Sequence, residues 1–493
     1  MTRRLNYLRK HPETLWLIAI LGLSTLLRLA FLHEPFDRDE GQYATIAQTI
    51  LRGGLPYRDA IEIKPPGTFY LYAMAIALFG ATTEAVRIFT AFYSLLTIIA
   101  VFGVAHLIAG VRSGLCAALV YGVFSTFPLL QGTSNSEVFL VLPLTLGVWF
   151  FLLGAESKQP LHFSLSGLCA AFALLIKPVA LPIVVLQLLL LFIIKTGDGR
   201  WKEKALNITV FLLPVLALAA VTLSYFYLRG GLNDLLYWTV EFPRHYKDIE
   251  VIGPSIGKVL IILASTLELP AIFGISSALW LAVTRRTVTG MLPLLMIITT
   301  CLAIALPGKY FPHYFILIMP FLAIPAGFGL SSIFIMHRLA AGFTLFLLMA
   351  AIWFAVMTNH RFYTVYSPEQ VSAHKYAEST FVESVAVASY LQERTSPEDY
   401  IFQWGFEPEL YFLAKRRCPN PFLVNMLPSW SKSPVAAIKK MQQSLIEKKP
   451  AYIILQPDWS DFAGIYEINE YVTKNCHEEK KIGYALLFRC STK

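Results

Sequence analysis

Charge is scarce in this sequence of 493 residues. Asp, Glu, Lys and Arg make up 15% of it, where a soluble globular chain carries about a quarter. Hydrophobic residues reach 56%, which excludes a disordered chain and fits a protein whose outside faces lipid. No CxxC or HExxH pattern is present, so no structural metal site is inferred. Internal repeats and low-complexity segments are missing as well. The six cysteines are scattered: Cys116, Cys169 and Cys301 fall in apolar runs, as small hydrophobes do, while Cys418, Cys476 and Cys490 fall in a polar C-terminal region. Those three allow one disulfide at most, and the sequence does not say which.

What is abundant is long apolar runs. A membrane-spanning helix needs roughly 20 mostly apolar residues. Such runs stand near 14–32, 85–109, 113–130, 136–154, 162–177, 179–194, 205–228, 256–283, 290–306, 313–336 and 339–357, about eleven spans. The net charge of +9 comes with basic residues gathered in short loops between these runs. That is the signature of inside-facing loops and predicts no nucleic-acid partner. Arg3, Arg4, Arg9 and Lys10 place the N-terminus in the cytoplasm, and the first run reads as an anchoring helix rather than a cleaved signal peptide. Counting spans then puts Arg112, Lys158, 195–204 and Arg285–Arg286 inside. Residues 33–84, 131–135, the 177–178 turn, 229–255 and 307–312 lie outside, together with the C-terminus. Arg28, in the first span, is expected either to snorkel to the interface or to support nearby acids.

Residues 358–493 change character, with charges, prolines and short alternating stretches. Segments 379–394 and 433–448 read as amphipathic helices, and 400–404, 451–455 and 483–489 as strands. The expectation is a membrane all-α protein with a small extracytoplasmic α/β domain: 1–357 forms the membrane part, with the first outer loop 33–84, and 358–493 the outer domain.

That first outer loop reads DRDEGQYATIAQTILRGGLPYRDAIEIKPPG from Asp37 to Gly67. Asp39 is the expected N-cap of a helix reaching Arg52, with Gly53–Gly54 as its stop. Tyr43, Ile46, Ala47 and Ile50 recur at helical spacing and predict one buried face. A cap and a dipole partner would account for Asp39 and Glu40 by themselves. Their company adds more, because Lys64-Pro65-Pro66 fixes a cation on an extended entry to the short apolar segment 68–79. A held cation beside a held carboxylate suits a phosphate-bearing substrate and a nucleophile that needs a base.

The acidic pair in its DRDEGQYATIA context, followed by KPPG, resembles the first outer loop of GT-C-type glycosyltransferases. Within these it is similar to the bacterial branch of protein mannosyltransferase-like and aminoarabinose transferase-like enzymes. The resemblance implies transfer of a sugar from a polyprenyl-phosphate donor, outside the cell inner (plasma) membrane and with inversion, to an envelope lipid, glycan or protein. It also implies Asp39 as catalytic base with Glu40 beside it, and Lys64 and Tyr43 on the substrate. Glu137, in QGTSNSEVF, matches a second acidic position, and Lys177-Pro178 a basic turn. Lys309, His313 and Tyr314, in KYFPHY, match a basic-aromatic loop facing the donor phosphate. Glu40 either orients Asp39 or shares a divalent cation with Glu137. The stretch from Val385 resembles domains that follow the membrane part in this branch.

One carboxylate suffices for such a reaction, because a departing phosphate is already a weak base and needs no general acid. The main alternative is a multi-pass transporter or lipid flippase. That reading calls for repeated halves and polar residues at mid-membrane, whereas the polar residues here concentrate in outer loops.

Overall fold

The computed structural model describes residues 12–128, 130, 134–194, 201–246, 256–333, 338–376, 379–456 and 464–491. Arg3, Arg4, Arg9, Lys10, Gln131–Thr133 and 195–200 lie outside the described residues. Among the described residues 74% are helical and one small sheet is present, and the chain divides into two compact units. The first comprises 1–32, 87–222 and 251–366; the second comprises 33–86, 223–250 and 367–493.

A helix stands at each of the eleven apolar runs, the conformation in which a backbone satisfies its own hydrogen bonds. Among the described residues, six helices are long and apolar enough to cross a bilayer: Pro12–Leu29, Thr83–Ala109, Ser136–Ser157, Trp201–Leu228, Leu267–Thr284 and Val288–Ala305. Five further apolar helices are shorter. Prolines 143, 214, 270 and 293 sit inside helices, which neighbouring helices make tolerable in membranes. Large apolar side chains such as Leu213, Leu216, Val221, Phe346 and Phe354 point outward, as a lipid-facing surface requires.

Inside the first unit, small residues let helices approach closely. A side chain on Gly327 would strike the Ser113 carbonyl, and one on Gly167 would strike that of Phe211. Arg28 behaves differently from both sequence expectations. It is buried, donating to Ser125 Oγ at 2.8 Å and Ser24 Oγ at 3.4 Å, so two hydroxyls solvate the guanidinium and it does not snorkel.

The second unit contains helices Arg38–Leu51 and Gly67–Phe79 together with the C-terminal region. Its sheet has the order β1-β2-β4-β3, with β1 (Ile401–Trp404), β2 (Tyr452–Leu455), β3 (Cys476–Ile482) and β4 (Ala485–Cys490). β1 and β2 are parallel, joined by a crossover that includes helices Glu409–Ala414 and Pro434–Lys448; the other pairs are antiparallel. Helices Thr380–Arg394 and Pro434–Lys448 and strands β1, β2 and β4 coincide with the segments read from sequence. β3 does not: its CHEEKKI sequence is largely exposed, and an edge strand shows no apolar alternation. Cys476 and Cys490 face each other across β3 and β4 and form the disulfide, leaving Cys418 free.

Candidate active site

Three acids open helix Arg38–Leu51, and the fold treats each differently. The N-cap is Asp37 (φ −79°, ψ 178°), not Asp39. Its Oδ1 accepts from Glu40 N at 2.9 Å, while Glu40 Oε2 accepts from Asp37 N at 3.2 Å, closing a reciprocal capping box. Asp39 therefore stands one residue inside the helix, with its carboxylate released from capping. Glu40 is completely buried and Asp37 nearly so, whereas the Asp39 side chain is 39% exposed.

Burial raises the Asp37 carboxyl to about 6, with the negative charges of Glu40 and Asp39 adding to it; hydrogen bonds from Glu40 N and Tyr376 oppose the rise. Tyr376 Oη donates to Asp37 Oδ2 at 2.9 Å.

Around Asp39 the second unit assembles a compact polar group. Tyr43, one turn along the same helix, donates its hydroxyl to Asp39 Oδ2 at 3.2 Å. Lys64 Nζ lies 3.5 Å from the same oxygen and 3.2 Å from Glu62 Oε1, and 5.0 Å above the Tyr43 ring. Tyr57 Oη donates to the Lys64 carbonyl at 2.8 Å, fixing the stretch before Pro65. Burial by itself lowers the Lys64 pKa, but the charges of Asp39 and Glu62 and the contact with Tyr43 outweigh it and hold the ammonium well above its ordinary value. Lys64 is thus kept protonated by its carboxylate neighbours.

Helix 38–51 is buried on more than the one face predicted, since every residue from Glu40 to Gln48 is enclosed. Segment 407–414 supplies the second cover: Gly41 lies against Glu409 and Thr45 Oγ1 donates to the Pro408 carbonyl at 3.1 Å.

The first unit carries a separate polar group. Glu137 lies in the first turn of Ser136–Ser157 and pairs with Lys177, which ends helix Pro160–Ile176 in extended conformation. Both are buried, Ser136 Oγ donates to Glu137 Oε2 at 3.0 Å, and Lys177 Nζ lies 4.2 Å from the centre of the Tyr314 ring. His313 packs edge-on to Tyr314 at 4.8 Å and stacks on Phe311 at 5.7 Å, in the turn Pro312–Leu317. Lys309 precedes that turn and is half-buried. Asp39, Glu40, Tyr43 and Lys64 are thus one group, and Glu137, Lys177, His313 and Tyr314 another, each within its own unit.

Sequence reasoning missed Glu62, Tyr57 and Asp37. Two of them left a trace: Asp37 and Glu40 have capping-box spacing, and Glu62 stands two residues from Lys64, on the same side of an extended chain. Among the described residues no three His, Cys, Asp or Glu side chains are grouped to hold a metal ion.

This architecture has relatives of known structure. ArnT from Cupriavidus metallidurans bound to undecaprenyl phosphate superposes with a TM-score of 0.65 at 14% identity, over 97% of this chain and 98% of that one. The Archaeoglobus fulgidus oligosaccharyltransferase gives 0.54 at 13%, over 97% and 74%. The arabinofuranosyltransferase AftD from Mycobacteria gives 0.53 at 12%, over 97% and 40%. Residues 63–225 match the model of the dolichyl-phosphate-mannose-protein mannosyltransferase family. The chain thus shares the fold of these membrane glycosyltransferases, and a third of it matches that family. A comparison with curated proteins found no match. The family match begins next to Lys64 and includes Glu137 and Lys177, but ends before Lys309, His313 and Tyr314. Asp39 lies upstream of it, so its candidacy rests on the local geometry and on its loop sequence.

Proposed function

We propose that this transferase moves a sugar from a polyprenyl-phosphate donor to an acceptor hydroxyl on the extracytoplasmic face of the inner membrane, with inversion, and that Asp39 is the base. The observation that carries this reading is the contrast among the three acids of the loop. Two are sealed into a capping box and one is left partly open, steadied by Tyr43 and Lys64. A carboxylate held in place yet accessible is what proton abstraction requires.

In the proposed step the acceptor oxygen attacks the anomeric carbon as the bond to the donor phosphate breaks. The acceptor proton passes to Asp39, and the electron pair of the broken bond leaves with the phosphate. Lys64 is assigned as a cation for the developing charge, and Lys177, Lys309, His313 and Tyr314, a separate group, are assigned to substrate binding. Glu40 orients the helix start through its capping box, and Glu137 holds Lys177. No step is routed through a metal ion. The solved ArnT complex contains undecaprenyl phosphate, which supports a polyprenyl-phosphate donor.

The membrane part is assigned to 1–357, with eleven spans, and the extracytoplasmic part to 358–493. The Cys476–Cys490 disulfide supports that orientation, since such bonds persist in oxidising compartments. Acceptor chemistry is taken as an envelope lipid, glycan or protein bearing a hydroxyl.

The test supplies purified protein with a panel of labelled polyprenyl-phosphate sugars and compares wild type with Asp39→Asn. One donor should be consumed by wild type, and the folded variant should lose about 100- to 10,000-fold in rate. Undiminished transfer by Asp39→Asn sinks the base assignment. For orientation, a cysteine placed at exposed Arg52 should react with a membrane-impermeant maleimide in intact cells. Labelling only after lysis overturns the outer-face location.

A further inference from the structure

Arg38 sits at the first position of its helix, where the dipole disfavours a cation. The C-terminal region makes the position tolerable. Glu407 Oε1 lies 3.6 Å from Arg38 Nη2, and the guanidinium is flanked by Phe406 at 5.2 Å and Phe381 at 5.5 Å. Glu407 is 1% exposed, so its charge depends on a partner.

Further ties hold the same turn from the same side. Lys375 Nζ pairs with buried Glu34 at 2.5 Å, and Tyr376 reaches Asp37. The Cα of Gly41 lies so close to Glu409 that a Cβ there would come within 2.2 Å of the glutamate's own Cβ. These contacts bracket Asp39 from residue 34 to residue 45.

From this geometry we infer that Arg38 is a positioning residue for the base, and that the C-terminal α/β region serves as a clamp that aims Asp39. The inference rests on the assignment of Asp39 as base. The clamp acts by fixing the pitch of the first helical turn. Arg38 and Asp39 are adjacent, so a rotation of the turn that frees Arg38 from Glu407 and its rings swings Asp39 by the same angle. A displacement of about 1 Å at a reacting group costs roughly a hundredfold in rate. The region from 367 onward is then part of the catalytic apparatus, not an appended module.

The test is a set of single-turnover measurements on the full-length protein, saturated with donor and in excess over a limiting acceptor. The rate constant then does not depend on the fraction of molecules folded. Arg38→Met and Glu407→Gln should each lower it by roughly tenfold to a hundredfold, with donor KM little changed. The double variant should be no worse than the weaker single one, because both break one clamp. Arg38→Lys, which keeps the charge and loses the planar stacking, should recover part of the loss.

Additive losses, or unchanged rate constants with only less folded protein, overturn the clamp. Adding Arg38→Met to Asp39→Asn should cost nothing further, and a full additional loss shows that Arg38 acts on something other than Asp39. Full activity of Asp39→Asn alone is a different outcome: it removes the base and leaves the packing of Arg38 as fold stability.

Discussion

Lys64 Nζ is held between two carboxylates, 3.5 Å from Asp39 Oδ2 and 3.2 Å from Glu62 Oε1. Glu62 is 5% exposed and has Lys64 as its ion-pair partner, and the same ammonium reaches Asp39. One cation therefore links the fold of the loop to the candidate base.

Lys64→Met should consequently do two things. It should raise the donor KM, since a phosphate partner is lost, and it should destabilise the loop by about 1–3 kcal/mol, because Glu62 is left buried beside an apolar side chain. Adding Glu62→Gln should restore most of the stability and none of the donor affinity. Thermal melts in detergent and steady-state kinetics separate the two effects; restored affinity would show that Lys64 does not touch the donor.

The buried pair Glu137–Lys177 admits a similar dissection. Breaking it with Lys177→Met should cost about 3–5 kcal/mol, as an uncompensated buried charge does. The double variant Lys177→Met with Glu137→Gln should regain stability. If it also regains transfer, the pair is structural, and the proposed phosphate role of Lys177 fails.

Asp37 makes stability depend on pH. Its carboxyl is raised from 3.8 to about 6 in the folded protein, so between those values the native state binds the extra proton. Stability should therefore rise as pH falls from 7 towards 4. Asp37→Asn keeps a capping acceptor and removes the titration, so its melting temperature should respond less to pH over that window. An unchanged slope in the variant would place the titration elsewhere.

Gly41→Ala forces a methyl group into Glu409. Overpacking of this kind costs about 1–3 kcal/mol, and here it pushes against the turn that carries Asp39. Both melting temperature and transfer rate should fall, whereas Gly53→Ala, where nothing stands near, meets only its φ of +85° and should lose stability with the rate retained.

Reducing the Cys476–Cys490 disulfide opens a link across 14 residues, worth about 3 kcal/mol to the C-terminal region. Limited proteolysis should cut within 464–491 only after reduction. Equal protection with and without reductant would show that the edge hairpin holds by itself.

Much of this protein was legible because lipid imposes a simple rule. A chain that crosses a bilayer must be helical and apolar for some twenty residues at a time, and eleven such runs stand out. The strands that alternate or are wholly apolar were legible too, while β3 was hidden by its charges on an exposed edge. At the candidate site the sequence pointed to this loop and missed the cap by two residues. DRDE offers two acids able to cap, and only the reciprocal bonds of Asp37 and Glu40 discriminate between them.

By itself, then, the sequence determined the membrane class, the helical runs and the loop in which acids and a held lysine occur together, because each follows from composition or short spacing. Tertiary structure alone decided which of three acids stays open, that Lys64 bridges Asp39 and Glu62, and that Arg38 meets Glu407. Those outcomes depend on burial and on partners up to hundreds of residues away, and no local pattern encodes a desolvation cost that a distant residue will relieve.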